Sequence, residues 1–305
     1  MESDERYLVV VNPVGRGGHA QRQAIWLLNK LRRMGIEHDA LFTEKAGHAP
    51  DLVANWVDRV DVVVAVGGDG TVNEVLNGIM NSAQKDRRLA VFPSGTADDF
   101  ARNMDIPLGR DEALEVLLGE HEKTIDLMRV NDRYAAVTVG IGLDAEIAYH
   151  SYGSKHLRLM AYWYHGLSMM FKPMPRYSLS IDIGGEHLEG EYLLAVAGNA
   201  GSYGRYMKML PDALMDDGEI NLATFDLMNR FKALFLFGLS TMGGRHTWAS
   251  EMNQYSGKEI VIECLGDVYA QFDGEVVIFP EGEVLEMKVE PLAMTVKVPK
   301  VQVEE

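Results

Sequence analysis

The sequence predicts an α/β domain built on a parallel sheet, followed by a mainly antiparallel β-sandwich domain. Three observations predict it. Apolar runs such as residues 7–12 (YLVVVN) and 61–66 (DVVVAV) alternate with helical periodicity through the first part of the chain. Near residue 122 the pattern changes to short strands at hairpin spacing. A chain of 305 residues is also too long for one small core and fits two domains.

After the first run, which ends at Asn12-Pro13, residues 21–34 place Ile25, Leu28 and Leu31 on one helical face. Residues 37–43 read as strand, 49–57 as helix, 61–66 as strand, 71–80 as helix, 88–92 as strand and 97–104 as a short helix. Such alternation needs crossover connections, hence a parallel sheet with helices on both faces. In the second part, 124–130 and 134–140 flank the hairpin signal Asn131-Asp132, and 177–183 and 192–198 flank Gly184-Gly185. Further strands are expected at 222–225, 259–264, 268–272, 276–279, 285–289 and 293–298, as a sandwich or barrel requires. Helices over 157–171 and 230–242 interrupt them. The expected domains are 1–121 and 122–305, with room for the C-terminal residues to fold back onto the first.

Composition narrows the function classes. Apolar residues at 47% and charged residues at 24% describe a packed protein rather than a disordered one. A net charge of −16 argues against general nucleic-acid binding, which needs a positive field. The single cysteine, Cys264, excludes an internal disulfide framework and a Cys-rich zinc site, and fits a reducing cytoplasm. The acidic start leads straight into a strand, so no signal peptide is expected. The uncharged stretch 159–171 is too short to span a bilayer.

Three polar turns carry the chemistry. Gly67-Gly68-Asp69-Gly70-Thr71 sits where a parallel strand ends and a helix begins, the place where open α/β sheets bind ligands. Its glycines let a polyanion approach the backbone, and the helix adds its positive end. Asp69 would repel a bare phosphate unless Mg²⁺ or its water shell lies between. Asn12-Pro13-Val14-Gly15-Arg16-Gly17-Gly18 ends the first strand, and Pro93-Ser94-Gly95-Thr96-Ala97-Asp98-Asp99-Phe100-Ala101-Arg102 follows the fourth. None matches the P-loop pattern. Taken alone, each turn could be a helix cap; together they converge on one rim of the sheet.

The Asn-Pro turn, GGDGT and PSGTADDFAR, in this order and spacing, resemble the bacterial diacylglycerol kinase family. Pro211-Asp212-Ala213, Asp216-Asp217-Gly218 and Asp273-Gly274-Glu275 extend the resemblance over the whole chain. The resemblance implies an ATP- and Mg²⁺-dependent kinase that phosphorylates a lipid hydroxyl, with an inter-domain cleft. Carried onto matching positions, it implies nucleotide contacts from Asn12, Pro13, Val14, Gly15, Arg16, Thr43, Gly68, Asp69, Gly70, Thr71, Val72, Asn73, Glu74 and Thr96. It implies a carboxylate network around the catalytic Mg²⁺ at Asp69, Asp99 and Asp126, with Glu275 as general base. A second Mg²⁺ would be held by Asp217 with the backbone carbonyls of Leu214 and Glu219. Burial of Glu275 would raise its pKa towards a useful value.

The chain departs from the family pattern at Arg16, Asp98, Arg205 and Tyr206. Diacylglycerol, a sphingoid base and ceramide stay open as acceptors, as do a soluble-substrate kinase of the NAD kinase type and a binding protein without turnover. The implied partners are a lipid substrate at a membrane surface, no nucleic acid, and a second copy of the chain if it is a homodimer. Peripheral association with the inner face of the membrane is expected of a cytoplasmic enzyme of this kind. Two segments suit that role: 157–171, edged by Lys155, Arg158, Lys172 and Arg176, and 231–237, beside Arg230 and Lys232. Taken alone, such stripes are more often core than interfacial.

Overall fold

The structure, a computed structural model, describes residues 5–151, 173–273 and 275–300. The helix expected over 157–171, with Lys155, Arg158 and Lys172, lies outside them. The chain divides into two compact units, Met1–Ile125 with Leu292–Glu305, and Asp126–Pro291.

The first unit contains β1 (Tyr7–Val11), α1 (His19–Met34), β2 (His38–Phe42), α2 (Ala49–Ala54), β3 (Val62–Gly67), α3 (Asp69–Met80), β4 (Arg88–Pro93), α4 (Asp99–Asn103) and α5 (Arg110–Leu118). Strand β5 (Glu122–Val130) then leads out of it. The sheet order β2-β1-β3-β4 is parallel throughout. Every residue of β1 and β3 is buried, as strands covered on both faces must be. Val9, Val11, Val64, Val66 and Phe92 share a core cluster with Leu27 and Leu31 of α1 and Leu117 of α5. The alternate residues Leu8, Val10, Val63 and Ala65 are equally buried, on the face where α2 and α3 pack. Helix α5 has no counterpart in the sequence reading. Its acidic residues leave only Ala113, Leu114, Val116 and Leu117 as a buried face, too short a stripe to stand out.

In the second unit follow β6 (Arg133–Ala135), β7 (Thr138–Gly142), α6 (Leu143–Ser151), β8 (Tyr177–Ile183), β9 (Glu186–Gly198), β10 (Ile220–Asp226), α7 (Arg230–Ser240), a 3₁₀ turn at Arg245–Trp248, β11 (Met252–Gly257), β12 (Glu259–Cys264), β13 (Val268–Phe272), β14 (Glu275–Phe279) and β15 (Val284–Lys297). The strands pair antiparallel in the order β14-β13-β7-β9-β8-β12-β15, with β10 also on β9 and β11 on β10. Burial alternates along β8, β12 and β15, so Leu179, Ile181, Ile260, Ile262, Leu285 and Met287 form one inner face. Cys264 lies in the same core, and burial pushes its thiol up to about 11.

Three expected strands are rearranged. The run 134–140 is broken at Ala136 and Val137, because the Asp273 carboxylate accepts the amides of Ala136, Val137 and Thr138 at 2.9, 3.0 and 2.9 Å. Those donors are lost to a sheet ladder. Conversely, 285–289 and 293–298 belong to one strand, β15. It leaves the second unit at Pro291 and enters the first at Leu292, whose φ of 47° kinks it.

Val296 of β15 pairs in parallel with Leu89 of β4, so the chain returns to complete the first unit's sheet. The adjacent Lys297 is buried. Its Nζ donates to Glu5 at 3.2 Å and to the Gly119 carbonyl at 3.0 Å, and pairs with Glu122 at 3.2 Å. Arg88 pairs with the same two carboxylates, and the Tyr7 hydroxyl donates to Glu5 at 2.6 Å. Burial works to raise the Glu5 carboxyl, but the Tyr7 hydroxyl, Lys297 and Arg88 outweigh it and hold it below its ordinary 4.5. Replacing Lys297 by Ala leaves two half-buried carboxylates short of a cation and should cost about 3 kcal/mol, read as a lower urea midpoint. A depressed carboxyl stabilises fully above its unfolded value and loses that contribution as pH falls through its folded one. The wild type should therefore lose stability below about pH 4.5 more steeply than Glu5→Gln does.

Candidate functional site

Strand β1 sits between β2 and β3, so the chain reverses its winding direction there; ligands of open parallel sheets bind at such a switch point. The turns after β1, β3 and β4 lie side by side on that carboxyl rim and are stitched by backbone bonds. Asn12 donates its amide to Val66 at 3.3 Å, Thr43 to Val11 at 2.9 Å and Ser94 to Gly67 at 2.8 Å. Arg16, held at a φ of 47°, donates Nη1 to the Gly95 carbonyl at 3.3 Å.

The glycines of this rim have different reasons. A Cβ on Gly95 would lie 2.4 Å from the Gly68 Cα, and one on Gly68 would lie 2.9 Å from the Gly95 Cα, so two backbones touch there. A Cβ on Gly67 would strike the Thr71 side chain at 2.4 Å. Gly70 is exposed, and a Cβ there would meet nothing within 4 Å. Packing requires the first three; Gly70 is left open towards whatever approaches the helix end.

Helix α3 begins at Asp69, two residues earlier than expected, because a carboxylate in the first turn complements the helix dipole. The amides of Thr71 and Val72 both bond the Gly68 carbonyl, and both side chains are buried. Asp69 Oδ1 accepts the amide of Phe100 at 3.0 Å, which ties α3 to the first turn of α4, where Asp99 also stands. Glu74 turns away from the rim and accepts the amides of Gly47 at 2.9 Å and Ala49 at 3.1 Å, capping α2. Thr43 is buried, whereas Thr96 and Val14 are exposed. Asn12 keeps a buried Oδ1 without a hydrogen-bond partner.

Asp98, the extra acid of this rim, braces the turn. It stands in the left-handed region with φ 53°, is buried, and accepts the Gly95 amide at 2.8 Å. Burial raises its pKa, against the Gly95 amide, Arg102, Arg16 and His19. His19, at the start of α1, is a residue the sequence reading did not single out. Burial, with Arg16 and Arg22 beside it, lowers its pKa, and Asp98 partly offsets that. Two helix N-termini, Arg16 and Arg22 thus give this rim a local positive field in an acidic chain. Among the described residues no three His, Cys, Asp or Glu side chains gather into a cage. One or two carboxylates beside a phosphate are what Mg²⁺ asks for, so Asp69 and Asp99 fit such an ion.

In the second unit Asp126 is buried. Its Oδ2 accepts the amide of Gly218 at 2.6 Å, and its own amide donates to Met215 at 2.7 Å. It therefore fixes the loop that carries Leu214, Asp217 and Glu219. Asp217 Oδ1 accepts the Glu219 amide at 3.0 Å, and Leu214 is exposed. Glu275 opens β14, just past the Asp273 turn. Its side chain is exposed, with Arg133 Nη1 at 4.0 Å, so the burial expected for it is not found. A further carboxylate unmarked by any motif is Asp144. It is buried under the Tyr203 hydroxyl at 2.8 Å, and burial pushes it up to about 6.

Comparisons with known proteins bear on the family and the fold. The family model described as "Diacylglycerol kinase catalytic domain" matches residues 6–130, and "YegS C-terminal NAD kinase beta sandwich-like domain" matches 137–298. A diacylglycerol kinase of Staphylococcus saprophyticus is 30% identical over 277 residues, covering 89% of each chain. One of Staphylococcus aureus (strain bovine RF122 / ET3-1) is 31% identical over 275 residues, covering 89% of this chain and 86% of its own. The crystal structure of a diacylglycerol kinase from Bacillus anthracis str. Sterne superposes with a TM-score of 0.78 at 22% identity, over 98% of this chain and 99% of that one. The last likeness is one of fold.

The glycines give a test that separates packing from ligand approach. Gly95→Ala should cost about 1–3 kcal/mol by overpacking, read as a lower melting temperature. Gly70→Ala should instead hold or raise stability, by up to about 1 kcal/mol for a helical position. Calorimetric titration with ATP should nevertheless show weaker binding to Gly70→Ala. Unchanged affinity there would mean that the phosphates do not approach α3.

Proposed function

The chain belongs to the diacylglycerol kinase family, and from that premise we propose that it transfers the γ-phosphoryl group of ATP to a lipid hydroxyl, with diacylglycerol as the first acceptor to test. The observation that carries this reading is the stitched row of turns at the switch point of the parallel sheet. Two helix N-termini and Arg16 meet there, and Gly70 leaves room for a polyanion.

In this reading the triphosphate lies along the turns after β1 and β3. The backbone of Asn12 to Arg16 and of Gly68 to Gly70 receives it, and Thr43 and Thr96 border it. Mg²⁺, held through Asp69 and Asp99, would neutralise charge on the transferring group. The second unit contributes Asp126 as a further carboxylate and Glu275 as the group that takes the acceptor's hydroxyl proton. Asp217, with the carbonyls of Leu214 and Glu219, is proposed as a second Mg²⁺ site that stiffens its loop. Phosphoryl transfer asks for positioning more than covalent help, so the rigidity of the turns matters as much as their charge. A lipid acceptor resides in a bilayer, so the reaction takes place at a membrane surface on the side that supplies ATP.

Radiolabel transfer from ATP to a panel of lipids, with NAD as a control, tests the reading. Label should enter diacylglycerol, and a chelator or Asp69→Ala should abolish its transfer. Label in NAD, or in no lipid, would overturn the reading. Glu275→Gln should lower turnover by about 10²–10⁴ while ATP binding by calorimetry is retained; full turnover would remove Glu275 from the chemistry.

A further inference from the structure

Helix α7 presents an apolar stripe outwards. Phe231, Leu234 and Phe235 are exposed at spacings that keep them in line, Gly238 continues the stripe with open space at its Cα, and Met242 is exposed in the turn after the helix. Phe231 is 76% exposed and Phe235 63%. Trp248, on the neighbouring 3₁₀ turn, is 82% exposed. The core-facing side of α7 carries Ala233, Leu236 and Ser240 instead.

This platform is held firmly. The Asn229 side chain accepts the Lys232 amide at 3.0 Å and caps the helix, and Lys232 pairs with Glu251. Two residues before Trp248, the buried His246 ring stacks on Phe225 with centroids 5.8 Å apart and lies 3.3 Å from the Met209 carbonyl. The helix and turn that carry the outward side chains are therefore anchored by their capped and buried residues.

Charge decides what such a face fits. The chain carries 45 acidic residues and a net charge of −16, yet no Asp or Glu occurs from Leu227 to Ser250. The same stretch carries Arg230, Lys232 and Arg245. Aromatic and aliphatic side chains flanked by Arg230 and Arg245, with Lys232 paired to Glu251 at the edge, suit the headgroup region of an anionic bilayer.

We propose that the outward face of α7 with Trp248 is the surface by which the protein docks on an anionic lipid bilayer. Phe231, Phe235 and Trp248 enter the headgroup region, while Arg230 and Arg245 lie among lipid phosphates. The proposal rests on the lipid-kinase reading above for its reason to visit a bilayer, but its test does not depend on turnover.

The experiment is co-sedimentation of the full chain with phosphatidylcholine vesicles containing about a third phosphatidylglycerol, compared with neutral vesicles. The wild type should pellet with the anionic vesicles, less so as salt screens the cations. The combined variant F231S/F235S/W248S should bind them roughly tenfold or more weakly, since burial of each ring contributes appreciably. Its melting temperature and its turnover on a dispersed short-chain diacylglycerol should stay unchanged. Arg230→Glu with Arg245→Glu, a second variant that spares the apolar face, should abolish the preference for anionic over neutral vesicles. Vesicle binding by the triple variant equal to the wild type overturns the proposal. So does a shift from dimer to monomer in sedimentation without loss of vesicle binding, which would make the face a contact between copies. Loss of turnover on the dispersed lipid in the wild type would instead count against the kinase reading and leave the vesicle result standing.

Discussion

The backbones of Gly68 and Gly95 lie in contact, so close that neither position admits a side chain, and the candidate nucleotide rim depends on that contact. The register of β3 on β4, which sets Gly67 opposite Pro93, brings the two turns together at the strand ends. Only then can Asp69 reach the amide of Phe100, while Asp98 braces its own turn through the amide of Gly95 and Arg16 reaches that glycine's carbonyl. The rim is thus a backbone construction first, and its side chains act as braces. That suits phosphate recognition, in which amides and helix ends supply the field and side chains tune it.

The second unit solves a similar problem with a carboxylate. Asp273 occupies the left-handed region at φ 44°, which costs a non-glycine residue about 1–2 kcal/mol. Against that, its carboxylate accepts three backbone amides, each charge-assisted bond contributing roughly 1.5–3 kcal/mol. The bonds win, and the strand that the sequence pattern promises at 134–140 gives way to them. The turn so braced sets Glu275 as the first residue of β14.

How much was legible follows from the kind of signal each element sends. Strands β1 and β3 are buried on both faces and read as unbroken apolar runs, so their type is evident from composition alone. The rim turns are equally legible, since glycines at the ends of such strands are hard to place otherwise. Helices α5 and α6 carry too few apolar positions, and β11 (MNQYSG) is polar, so tertiary contacts rather than local pattern decide them. The capping of α2 by Glu74 was hidden because its partners, the amides of Gly47 and Ala49, are distant in sequence. The exposure of Glu275 is of the same kind: a Gly-Glu step after an aspartate marks a turn, but which way the glutamate faces is settled by the strand that follows.

Strand β15 carries a consequence for how the protein is made. Synthesis runs from the amino end, so β1 to β4 emerge first, yet the sheet they form lacks its outer partner until the stretch around Val296 and Lys297 exists. Until then Glu5 and Glu122 lack Lys297, and β4 presents an unpaired edge that is open to wrong partners. The second unit lies wholly between these two parts of the chain, and its own sandwich takes in the first half of the same strand, with Leu285 and Met287 in its core. The first unit's sheet therefore waits with an open edge through synthesis of the whole second unit, and becomes whole only once residues 292–297 have been made.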